Sequence, residues 1–423
     1  MHITEVERLL VDIPFSEIPE RNMARHLAGW HISEVCRVTT ETGLVGYGET
    51  LPNYTWGRVS DAAVERVRGR NPFDFLWDDS LGAGLQMALF DVAGKAAGVP
   101  VYRLLGTKVR DWCPLSWWSI DMSADDMAAE ARHAVALGYT AQKQKARPWY
   151  DVVAQVRATA AVIPPTFSLD LDFNGHLVTA AHAVSVLTVL DEFPNVKIYE
   201  SPLPQDDVAG NRRVRAATRC AIAMHYGTPP ILTALAEGVC DGFVVGGGAN
   251  AVLRQQALAQ AANMPFWLQL VGTGLTTTFA QHLGAVCSHA QWPAVTCVNM
   301  YRHQLMTRPI EVKGGYVRVP EEPGLGITVD EEALRQYRVT SSHKANARAV
   351  YAVERATGER TYFAGEIVGG SGVPLGYWDD SLSGNLPPYE EGTRLVTVSD
   401  DGSPGWHDLY TQVQQAPVRV HHN

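Results

Sequence analysis

The stretch "YTAQKQKARPW", residues 139–149, puts Lys143 and Lys145 two positions apart at the end of what reads as a buried strand. Side chains i and i+2 of a strand share a face, so the two amines project together and each disfavours its neighbour's charge. Either the chain has left the sheet and the lysines are a solvated strand end with stems lying on apolar surface, or one is a base whose pKa is lowered by the other and by a nearby cation. Further along, "LDLDFNG" (169–175) ends a strand on Asp172 and "IYESP" (198–202) ends another on Glu200. The steps from Lys143 to Asp172 and from Asp172 to Glu200 are 29 and 28 residues, one strand-plus-helix unit each.

The same alternation runs through the middle of the chain. Strand candidates are "CPLSWWSI", "FSLDLDF", "VKIYES", "CAIAMHY", "DGFVVGG", "PFWLQLV" and "AVTCVNM", in addition to the lysine strand, with helical stretches between them. One helix opens on Ser123 with acids in its first turn and closes at Gly138. Eight such units in about 190 residues is the arithmetic of a closed parallel barrel, with an open doubly wound sheet as the alternative. Barrel chemistry sits at the carboxyl ends of strands, where Lys143, Lys145, Asp172 and Glu200 fall. Two carboxylates facing two lysines suit a hard divalent cation such as Mg2+; each acid taken alone reads equally as a helix N-cap or a loop salt bridge.

Before the barrel, "VERLLVDIPF" and "SEVCRVTTETGLVGYGET" read as antiparallel strands, the second folding into a hairpin at Thr42 and Gly43. Between them "SEIPERNMARHLAGWH" reads as a long polar and aromatic loop, and "LQMALFDVAGKAAGVPVYRLLG" as an amphipathic helix ending near Gly98, then a short helical turn. Beyond Thr340, "AVYAVERATGERTYFAG" reads as a hairpin at Thr357 and Gly358, and "TRLVTVSDDGSPGW" as a strand and turn, a small β extension that either covers the active site of a neighbouring subunit or, as expected first, buttresses the N-terminal unit.

Bulk composition is that of an ordinary globular enzyme-sized chain, with 423 residues, 46% apolar and 19% charged. A net charge of -10 and the lack of any basic run oppose nucleic-acid binding. The six scattered cysteines read as reduced thiols, and neither a signal peptide nor a membrane span is expected, which points to the cytoplasm.

Taken together, "GLVGYGE", "ALFDVAGKAAGVPVYRLLG", "GYTAQKQKA", "LDLDFNG", "ESPLP" and "PGLGI" resemble the enolase superfamily, and within it the mandelate racemase and muconate lactonizing enzyme group, from residue 1 to about 335. The resemblance implies an α/β fold: a capping domain (1–111) over a modified (β/α)7β TIM barrel (112–305), a return segment packing on the cap (306–340), and outside the likeness the β extension (341–423). It implies a homo-oligomer acting on a small carboxylate. Mg2+, or another divalent metal, binds the substrate carboxylate while a base removes the α-proton to give an enediolate. Lys145 is then the acid/base, Lys143 its charge partner or an electrophilic contact to the carboxylate, and Asp172 and Glu200 the first two metal ligands.

Two departures stand out. The third metal position, at the end of the fifth strand, holds His225, with Tyr226 as the one-residue-shift alternative; a nitrogen ligand tilts a site toward transition metals. The sixth strand, "DGFVVGGGAN", carries no acid or lysine, and the seventh-strand position is Gln269, which exchanges no proton near neutrality. One base without an opposing partner favours β-elimination or cycloisomerisation over racemisation or epimerisation; a catalytically inactive binding or scaffold protein is the alternative of another class. Candidate weakly acidic helpers are His225, Tyr226, His176 and His303. Substrate selection is expected from His26, Trp30 and His31 in the N-terminal loop, and from Trp117, Trp118, Arg147 and Asn174 at the barrel mouth.

Overall fold

Strands β1 (Ile3–Asp12), β2 (Ile32–Thr40) and β3 (Val45–Thr50) form an antiparallel sheet in this computed structural model, which describes residues 1–25, 27–54, 57–344, 348–364, 377–386 and 389–421. The β2–β3 hairpin turns at Gly43, whose φ of +79° is costly for a residue with a Cβ. Helix Ala83–Ala97 lies on this sheet at unusually close range: a Cβ on Gly46 would come 2.2 Å from the carbonyl oxygen of Ala88. The expected amphipathic helix is instead buried from Gly84 through Gly94, because the 3-10 turns Pro72–Phe75 and Asp79–Leu81 and helix Val101–Leu105 also pack on it and the Phe279 ring lies 5.7 Å from that of Phe90. The segment read as a loop folds into helix Glu17–Met23 and a 3-10 turn, Ala28–His31. Glu17 and Glu20 favour the amino end of that helix, and Arg21 Nε bonds Asp126 Oδ2 at 3.0 Å.

A short strand, β4 (Trp112–Pro114), leads into a wholly parallel sheet. Its strands are β5 (Trp117–Ser119), β6 (Ala141–Lys145), β7 (Ser168–Asp172), β8 (Val196–Glu200), β9 (Ala221–His225), β10 (Gly242–Val245) and β11 (Phe266–Leu268), each beside its sequence neighbour. Four of the intervening helices start on a side-chain cap, with Ser123, Asp151, Thr179 and Asp207 accepting from the first-turn backbone. The sheet curls so that Ala294 bridges Leu115 at one edge and Val295 bridges Gln269 at the other. "AVTCVNM" is therefore not the strand expected from its apolar run. Cys297 adopts φ +60°, which breaks the extended backbone before the 3-10 turn Val298–Met300.

Strand β12 (Tyr316–Arg318) pairs with β4, and β13 (Arg338–Val339) returns to β1 to complete the N-terminal sheet. The extension forms a further antiparallel sheet of β14 (Val350–Glu354), β15 (Glu359–Ala364), β16 (Arg394–Val398) and β17 (Val418–His421). It also carries helices. "SPGW", read as a turn, starts helix Pro404–Val413, with Ser403 as N-cap and proline in the first turn, where its missing N–H costs nothing. Nor does the extension mainly buttress the N-terminal unit. Lys344 does reach Asp12, at 2.9 Å, but the buried core of the extension, Tyr351, Phe363, Tyr377, Leu386 and Leu395, encloses Trp149 and Tyr150 from the segment after β6. Among the described residues no helix is long and apolar enough to cross a membrane, and all six cysteines are unpaired.

Candidate active site

Parallel register gathers the strand-end residues. Lys145 lies opposite Asp172, and Asp172 opposite Glu200. Lys145 Nζ is 2.5 Å from Asp172 Oδ2 and 3.0 Å from Asn174 Oδ1. Lys143 Nζ forms an ion pair with Glu200 Oε2, lies 3.4 Å from Asp172 Oδ2, donates to Gln269 Oε1 at 3.0 Å and sits 5.2 Å from the Trp267 ring. Neither amine is a solvated strand end. The Lys143 side chain is 1% exposed and that of Lys145 16%.

Their electrostatics diverge. Burial pushes the Lys143 ammonium down, but the Glu200 and Asp172 carboxylates outweigh it and hold the group above its ordinary value. For Lys145 burial again lowers the pKa; Asp172 offsets part of this, Lys143 and Arg147 add to it, and the net shift is downward. Burial raises Asp172, but Lys145, Lys143 and Arg147 together bring it well below the usual carboxylate range. Glu200 also ends low, because Lys143 and the His225 hydrogen bond overcome burial and the charge of Asp172. Asp170, buried one pleat deeper on the same face, is pushed up to about 7 by burial, partly relieved by Lys143. The period-2 spacing in "LDLDF" placed Asp170 beside the lysines, a signal the sequence reading passed over.

The other expected residues divide. Arg147 Nη2 donates to Asn174 Oδ1 at 2.6 Å, and Asn174 N donates to Asp172 Oδ1 at 3.0 Å, so both belong to the cluster. Gln269 Nε2 is 3.4 Å from Tyr54 OH. The Tyr54 ring meets Trp30 at 4.5 Å, and Trp30 stacks on Trp118 at 6.0 Å, which makes an aromatic wall continuous with the Lys143 pocket. His225 Nε2 is 3.1 Å from Glu200 Oε1. Tyr226 turns away, its ring edge on Phe243. Trp117, one residue before Trp118 and so on the opposite face, bonds Glu130 at 2.9 Å. His31 sits against Phe15 and the carboxylates of Asp12 and Glu20, and His303 near Asp330, both outside the cluster. His176 is fully buried against Trp149 and Ser381. His26 lies outside the described residues. Tyr389 of the extension, unmarked in the sequence, donates to Ala146 O at 3.1 Å beside Lys145.

The cluster meets the requirements of a divalent ion only in part. Asp172 and Glu200 converge, but among the described residues no three His, Cys, Asp or Glu side chains are arranged to hold a metal. The Lys143 ammonium lies against both carboxylates, and the nearer His225 nitrogen is bonded to Glu200. Glu200 Oε2 has no aligned hydrogen-bond donor, its partner being the Lys143 charge. As arranged, these donors do not fit a divalent ion.

Residues 126–333 match the Enolase C-terminal domain-like family. The chain is 25% identical to D-gluconate dehydratase of Thermoproteus tenax over 366 residues, 73% of this chain and 70% of that protein. It is 24% identical to muconate cycloisomerase 1 of Pseudomonas putida over 370 residues, 79% and 98% of the two chains. The crystal structure of muconate cycloisomerase from Pseudomonas fluorescens superimposes with a TM-score of 0.66 at 22% identity, covering 80% of this chain and 99% of that one. Fold, strand-end site and relatives define the class: an enzyme of the enolase superfamily. Its relatives in that superfamily include dehydratases, a muconate cycloisomerase and a racemase, all at 27% identity or less.

Proposed function

We propose that this enzyme removes the proton α to a carboxylate, with Lys145 as the base, and that the resulting enediolate proceeds to β-elimination or cycloisomerisation. The observation that carries this reading is the asymmetry of the lysine pair. Lys143 is sealed among Glu200, Asp172 and Gln269, whereas Lys145 keeps an exposed edge toward the mouth and a carboxylate that stabilises it once protonated. A neutral Lys145 takes the proton, Asp172 Oδ2 receives the new ammonium, and the Lys143 and Arg147 charges stabilise the developing enediolate. The aromatic wall of Trp30, Tyr54 and Trp118 excludes water and packs the substrate's less polar part. Gln269, held by Lys143 and Tyr54, offers no second base, which favours these outcomes over racemisation. In this reading the N-terminal sheet caps a (β/α)7β barrel. Mg2+ at Asp172 and Glu200, the ion implied by the family likeness, enters no step.

A screen of carboxylic acids in D2O tests it. The wild type should wash deuterium into the α position of at least one acid, and Lys145→Ala should lose this by about three orders of magnitude with an unchanged circular dichroism spectrum. Undiminished exchange in the Lys145→Ala protein would remove the assignment.

A further inference from the structure

We propose that Lys143 is the resident cation of the Asp172–Glu200 carboxylate pair, taking the position between these acids that a divalent ion would need, so that the resting site binds no divalent metal. The inference goes beyond the proton-transfer reading and stands even if Lys145 is not the base.

Three observations carry it. First, the surroundings of Lys143 Nζ are those of an ammonium. Besides two carboxylates it has the Gln269 amide oxygen at 3.0 Å and the face of the Trp267 indole at 5.2 Å. An ammonium has three N–H donors to direct and is attracted to an indole face, whereas a hard dication takes oxygen ligands and water and gains nothing from an indole. Second, the negative charge of the acids is already met in full. Asp172 and Glu200 carry two negative charges, and Lys143, Lys145 and Arg147 lie within contact distance of this pair or of Asn174 beside it. A dication added without a third acid would leave a buried excess of positive charge. Third, the residue at the end of β9 is His225, whose ring nitrogen is bonded to Glu200, so it supplies neither a negative charge nor an uncommitted donor on that side.

Chelator-dialysed wild type, titrated calorimetrically with Mg2+ and then Mn2+, should give no saturable heat up to about 1 mM, the weak end of oxygen-ligand Ca2+ sites in proteins, and its melting temperature should not shift with either ion. Lys143→Met removes the resident charge and keeps the stem. It should acquire a single saturable Mn2+ site, and adding Asp172→Asn to it should abolish that site. Submillimolar Mg2+ or Mn2+ binding by wild type that is lost in Asp172→Asn overturns the inference, as does a folded Lys143→Met protein that binds neither ion. Should Lys143→Met not fold, the wild-type titration decides by itself. Because every readout is binding or melting, failure here is distinct from failure of the Lys145 assignment, which the exchange assay reports.

Discussion

At the scale of the residue, two side chains of identical chemistry on one face of β6 lie in different surroundings because their partners come from different strands. Lys143, deeper by one pleat, reaches Glu200 on β8 and Gln269 after β11, while Lys145 reaches only as far as Asp172 and Asn174. Glu130, remote from the mouth, shows the opposite balance. Burial pushes its carboxyl up to about 7, a shift that the Trp117 indole N–H offsets only in part. An acid whose folded pKa exceeds its unfolded value is most favourable to folding below the unfolded pKa, and that contribution is lost as pH rises from about 4.5 to about 7. Glu130→Gln keeps an acceptor for Trp117 and removes the ionisation. The variant should therefore gain on wild type by roughly 1–3 kcal/mol between pH 4.5 and pH 8, read from urea unfolding at both pH values. Equal differences at the two pH values would show that Glu130 titrates normally.

At the scale of the element, the closest backbone approach in the N-terminal unit is that of β3 to helix Ala83–Ala97. A Cβ at Gly46 would meet the Ala88 carbonyl and Val92 at once. Since neither backbone can move without disturbing Phe90 against Phe279, Gly46→Ala should cost about 2–3 kcal/mol, measured by thermal or urea unfolding. A cost near zero would mean that helix and sheet can slide apart. Elements were legible wherever a local rule governs them. Ser123 followed by acids announced a helix start, Thr42 and Gly43 a hairpin, and the 28- and 29-residue steps a strand-and-helix repeat. They were illegible where a single backbone angle or a distant surface decides. The run 294–300 is apolar enough for a strand, yet the left-handed Cys297 stops it. The helix 83–97 is buried on both sides because the 3-10 turns Pro72–Phe75 and Asp79–Leu81 and helix Val101–Leu105 also pack on it, with the Phe279 ring against Phe90.

At the scale of the whole molecule, the extension is tied to the segments that carry the site. Thr393 O accepts from Asp151 N at 2.8 Å, Tyr389 OH donates to Ala146 O, Ser381 Oγ lies 3.3 Å from His176 Nδ1, and Trp149 is buried among extension side chains. Trp149 Nε1 also donates to Asp121 Oδ2, which Arg25 of the N-terminal unit pairs with, so one indole joins all three parts of the chain. Trp149→Ala should cost about 3–5 kcal/mol, and limited proteolysis should then cut the extension well before the parallel-sheet region. Unchanged resistance to protease would mean that the extension folds and docks without this anchor.

The sequence alone determined where the strand-end lysines and acids stand along the chain. Strand alternation and the repeat length are local or periodic properties, and they put Lys143, Lys145, Asp172 and Glu200 at one end of successive parallel strands. Only the tertiary structure decided what each group became. The sealing of Lys143, the pairing of His225 with Glu200, the depth of Asp170 and the docking of the extension on Trp149 depend on contacts between residues far apart in sequence. A one-dimensional pattern specifies which face a side chain occupies and leaves open what meets it there, and that neighbour sets its charge.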